Sequence, residues 1–81
     1  MEVPPKIVID FLVKKGFACR ASDPFFHTYF RGKMVICIDP ESSYDTDHLK
    51  YDLEHQRDLE AQVGDKLVEE LLQYIEQQSH D

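Results

Sequence analysis

The chain has 81 residues, 42% of them apolar, and a formal net charge of −7. That length fits one domain, residues 1–81, with enough apolar content for a core of its own. No apolar run approaches the roughly eighteen residues of a membrane span, and a surface this acidic does not as a whole attract a phosphate backbone, so neither a membrane nor nucleic acid is an expected partner.

The charge is unevenly divided. Residues 1–38 carry six Lys/Arg against Glu2, Asp10 and Asp23, whereas residues 39–81 carry Lys50, Arg57 and Lys66 against thirteen carboxylates. A basic partner protein therefore suits the C-terminal half. The N-terminal apolar stretch Ile7 to Val13 is interrupted by Asp10 and followed by Lys14 and Lys15, which does not read as a signal peptide, and a cytoplasmic location is expected.

Pro4 and Pro5 suit the first positions of a helix, where a missing N–H costs nothing. Ile7, Val8, Phe11 and Leu12 then share one face at three-four spacing. Lys14 and Lys15 complement the helix dipole, and Gly16 suits a left-handed cap. The β-branched run Ile7 to Ile9 would also permit a strand; the caps and the terminal lysines favour the helix.

Phe17, Cys19 and Ala21 alternate with Ala18 and Arg20, a short strand. Ser22-Asp23-Pro24 is turn chemistry. The next strand covers Phe25 to Arg31, with Phe26, Thr28 and Phe30 on one face and Phe25, His27, Tyr29 and Arg31 on the other. Gly32 and Lys33 form a hairpin turn. Met34 to Ile38 is almost wholly apolar, as in a strand covered on both sides or strongly on one. Cys19 and Cys37 both fall in strands and read as reduced thiols acting as small apolar groups.

Pro40 ends that strand, and a polar connection with Asp39, Glu41, Asp45 and Asp47 follows. Asp45 or Thr46 caps the next helix, along which Leu49, Leu53, Gln56, Leu59 and Val63 share a side and Lys50 pairs with Glu54. Leu67, Val68, Leu71, Leu72 and Ile75 resume an apolar face after Gly64. In one straight helix that face would be displaced by about 80°, and glycine costs about 1 kcal/mol in a helix interior. A break or kink at Gly64 is expected. The order α-β-β-β-α(-α) gives an α+β fold: a three-stranded antiparallel sheet with helices packed on one face, the layout of double-stranded-RNA-binding-like domains.

With Gly16-Phe17 leading from the first helix into the strands and His27, in FFHTYF, near the second strand, the layout resembles the small toxin ribonucleases of the HicA type over residues 5–75. The resemblance implies His27 as a catalytic base, with Arg20, Arg31 or Lys33 as the cation beside a phosphate. A histidine with an ordinary pKa of about 6.5 suits that task. The other reading of His27 is a filler in an aromatic cluster with Phe25, Phe26 and Tyr29. The Gly-Ser pair that precedes the histidine in those enzymes has no counterpart here.

Asp39, Glu41, Asp45 and Asp47 do not make an EF-hand, because Tyr44 and Lys50 stand where glycine and glutamate are required. His48, Asp52 and His55 fall on one helical face at i, i+4, i+7 and form a candidate transition-metal set. No Gly-rich phosphate loop, CxxC pair or Ser-His-Asp order is present, and no cofactor is expected. Asp45, Asp47, Asp52, Glu54, Asp58 and Glu60 would either imitate the phosphates of a duplex, as an inhibitor of a nuclease would, or simply keep the protein soluble. Spare apolar surface on the C-terminal helices suggests an interface, in a homodimer or with another protein, at Tyr51, Leu67, Leu71 and Tyr74. The favoured reading is a small acidic, non-enzymatic interaction or regulatory module. A ribonuclease-like or nucleic-acid-binding domain and a nucleic-acid mimic are the alternatives.

Overall fold

In the computed structural model, which describes residues 1–20, 26–55 and 61–78, Pro4 is extended (φ −65°, ψ 147°) and Pro5 opens helix α1 (Pro5–Lys14). Their fixed φ and missing N–H suit that place. The helix ends in a Schellman motif. The Phe17 N–H donates to the Leu12 carbonyl at 3.0 Å and the Gly16 N–H to that of Val13 at 3.1 Å, with Gly16 at φ +88°. Arg31 fastens the same end: its Nη1 donates to the Lys15 carbonyl at 2.6 Å and its guanidinium lies 4.9 Å from the Phe17 ring centroid. A Cβ at residue 16 would make only ordinary contact, with Arg31 Cδ at 4.0 Å, but it would have to adopt a left-handed φ that L side chains rarely take. Gly16→Ala should therefore lower the free energy of unfolding by about 1–2 kcal/mol, measured by chemical denaturation. An unchanged midpoint would show that this cap does not hold the turn.

Strands β2 (Ala18–Arg20), β3 (His27–Arg31) and β4 (Met34–Ile38) form an antiparallel sheet in that order. Gly32, at φ +60°, supplies the positive φ of the two-residue hairpin between β3 and β4. The register pairs Tyr29 with Cys19 and Ile36, and His27 with Ile38, on one face. It pairs Phe30 with Ala18 and Val35, and Thr28 with Arg20 and Cys37, on the other. Tyr29, Ile36 and Ile38 join one core with Val8, Phe11 and Leu12 of α1, so the helices cover the first face. The second leaves Phe30 and Val35 partly bare. Both cysteines are free. They lie on opposite faces.

Two elements were not foreseen. Val3 pairs with Tyr44, and Glu2 with Asp45, in a two-stranded sheet of β1 (Glu2–Val3) and β5 (Tyr44–Asp45). Tyr44 is 1% exposed. Its hydroxyl oxygen accepts the Asp39 N–H at 3.2 Å, and burial pushes its pKa up to about 12. The buried Asp39 carboxylate in turn accepts the Glu41 N–H at 2.9 Å and the Ser42 hydroxyl at 2.8 Å. The acidic connection is thus folded around one carboxylate and one phenol.

The C-terminal half is broken more sharply than a kink. A 3₁₀ turn (Thr46–His48) leads into the short helix α2 (Leu49–Glu54), and α3 (Asp65–Gln78) follows. The expected helical run to Val63 ends at Glu54. Beyond it the Gln62 N–H donates to the Val35 carbonyl at 3.0 Å, and residues 61–64 lie along the free edge of β4 with Ala61 and Val63 buried. Pairing an open sheet edge outweighed the helical period. Leu49 and Leu53 of α2, and Leu67, Leu71 and Ile75 of α3, complete the core. Among the described residues no helix is long and apolar enough to cross a membrane.

Candidate functional site

The position of α3 is set by Leu67, Leu71 and Ile75, which recur every four residues and enter the common core, where α3 packs against α1 and α2. About 100° round the helix, Val68 and Leu72 form a second apolar stripe, and Leu72 is 37% exposed. The segment Thr46–Tyr51 with Glu54 lies opposite, and the two sides enclose an open groove of about 410 Å³. Tyr51, 64% exposed, stacks on His55 with ring centroids 4.3 Å apart. The His55 Nδ1 lies 3.1 Å from the Tyr51 carbonyl oxygen. Tyr51 and Leu72 therefore face solvent together, with the half-buried Val68 beside them.

Carboxylates border this groove. Asp47 and Glu54 line it. Asp45 caps the 3₁₀ turn: its carboxylate accepts the Asp47 N–H at 3.0 Å, which holds it below the usual carboxylate pKa. Asp52 accepts the Asp45 N–H at 3.3 Å. Lys50, also in the lining, pairs with Asp65 at the start of α3, and that contact raises its pKa.

Leu67 and Leu71 are core residues, and the apolar surface α3 gives the groove comes from the half-buried Val68 and the exposed Leu72. Tyr74 stands elsewhere. Its ring lies 5.5 Å from that of Phe11, and its hydroxyl accepts from Lys14 Nζ at 3.2 Å, joining α3 to α1. Asp58 and Glu60 lie outside the described residues. Asp45, Asp47, Tyr51, Asp52 and Glu54 fall in or beside the groove. Val68 and Leu72 were legible only as core; the available signal was that five apolar positions, 67, 68, 71, 72 and 75, make a face wider than one contact can bury.

The residues of the ribonuclease reading are not drawn together. His27 is half-buried on the helix-covered face beside Ile38, and Arg20 is exposed on the bare face opposite Thr28. Arg31 is held at the end of α1 by the Lys15 carbonyl, four residues and about 13 Å along β3 from His27. Among the described residues no group of three or more His, Cys, Asp and Glu is placed to hold a metal ion. His48 stands on the 3₁₀ turn, whose tighter winding breaks the i, i+4, i+7 alignment. Asp52 is bonded to Asp45, and His55 follows the end of α2.

No protein-family model, curated protein or solved structure matches the chain.

Proposed function

We propose that this protein is a non-enzymatic interaction module whose contact surface is the groove between Thr46–Glu54 and α3. The observation that carries this reading is the convergence of Tyr51, Val68 and Leu72 in one open groove with Asp47 and Glu54 in its lining. Exposed aromatic and aliphatic side chains grouped beside fixed charge are the usual composition of a binding surface. The partner is a protein with a basic contact face, because the C-terminal half carries thirteen carboxylates against three Lys/Arg.

The test recovers partners from a lysate with the unaltered chain, with Tyr51→Ala, with Leu72→Asp, and with Phe30→Ser as a control on the bare sheet face. A stoichiometric partner should survive nuclease treatment and the Phe30→Ser change. Each groove substitution should weaken its capture at least tenfold, about 1.4 kcal/mol or more, as expected for a contact residue near the centre of an interface. Retention of the partner by both groove variants would refute the assignment.

A further inference from the structure

The groove reading above leaves the partner's form open, and the groove's walls and charge define it. This inference rests on that reading. Both walls are helical turns, Thr46–Glu54 and α3, whose backbone groups are largely engaged within their own elements. An extended peptide gains its affinity from main-chain hydrogen bonds to an open sheet edge. Laid between two helices it would hold amides against apolar side chains, at roughly 1–3 kcal/mol for each one left dry and unbonded. A helix arrives with its backbone already satisfied. Its apolar side chains at i, i+3 and i+4 match the four-residue spacing of Val68 and Leu72.

Charge fixes the sign of the partner's flanks. Asp47 and Glu54 line the groove together with His48 and Lys50, and Lys50 is engaged by Asp65. A two-fold contact with a second copy through the same groove would set these carboxylates against one another. A phosphate backbone meets the same repulsion. We infer that the groove takes a basic amphipathic helix of a partner protein, with apolar residues on Tyr51, Val68 and Leu72 and Lys or Arg beside Asp47 and Glu54.

The experiment selects a display library of randomised peptides, about sixteen residues long and roughly 24 Å as a helix. Selection runs against the full chain and, in parallel, against its Leu72→Asp and Tyr51→Ala variants, each checked for folding by circular dichroism. Peptides enriched on the unaltered chain alone should carry apolar residues at three-four spacing flanked by Lys or Arg, and should gain helical circular dichroism on binding. Their affinity should fall about tenfold between about 0.05 and about 0.5 M salt. Enrichment of acidic, proline-containing or strictly alternating sequences, or no enrichment at all, would overturn the inference. If that happens while the groove variants still lose their lysate partner, the groove stands and the helix is wrong. If basic helices are enriched but bind both groove variants equally well, the groove itself is wrong.

Discussion

Leu71→Ala should cost about 3–5 kcal/mol of unfolding free energy, whereas Leu72→Ala, one residue on, should change it by less than about 1 kcal/mol. Leu71 is 1% exposed and packs in the core, so truncation removes transfer free energy and leaves a cavity where α3 meets α1 and α2. For a chain of this size the melting temperature should drop by roughly 12 °C or more. Leu72 keeps 37% of its surface exposed at the groove, so its removal empties little buried space. Partner binding should show the reverse order, with Leu72→Ala weakening it while the fold persists. Denaturant titration of the two variants, set beside partner capture at a temperature where both are folded, measures each effect. Equal losses of stability would mean that Leu67, Leu71 and Ile75 are not the face by which α3 enters the core.

That contrast marks how far the sequence could be read. Period-two alternation placed His27, Tyr29 and Arg31 on one face of β3 and Thr28 and Phe30 on the other, as the register has them. Gly16 and Gly32 declared the cap and the hairpin through their need for positive φ. Periodicity cannot choose between two adjacent apolar stripes, so Leu67 and Leu71 could not be told from Val68 and Leu72 as surface residues. It also cannot reveal pairings of one or two residues. Val3 with Tyr44 and Val35 with Gln62 are tertiary events, decided by which edges stand open once the sheet has formed. The groove depends on the second of these, because residues 61–64 leave the helical path along β4 and return the chain at Asp65 to run α3 opposite Tyr51.

The fold should lose stability steeply between pH about 10 and about 12, and Tyr44→Phe should flatten that loss. Burial raises the Tyr44 phenol from its ordinary value to about 12. Tyr29 is raised to about 12 as well, by burial first and then by its hydrogen bond with the Cys19 thiol. The folded state therefore keeps phenolic protons that the unfolded chain releases above pH 10. The unfolded state binds fewer protons in this window, so stability declines as pH rises, and below pH 10 neither group contributes a slope. For Tyr44 the shift corresponds to roughly 2–3 kcal/mol across the window. Lys50, whose pKa Asp65 raises, loses its ion pair as it deprotonates, which adds a decline of the same sign. The unaltered protein's curve alone would not separate these three groups, but the difference between it and Tyr44→Phe isolates Tyr44. Near neutral pH the variant should already be weaker by about 1–3 kcal/mol, because the buried Asp39 N–H loses its bond to the Tyr44 hydroxyl. From pH 10 upward the two curves should converge, as the unaltered protein gives up what the variant never had. Parallel curves across that window would show that the Tyr44 hydroxyl ionises in the fold as readily as in water, and that Asp39 and Tyr44 do not form the closed polar centre of the 39–45 loop.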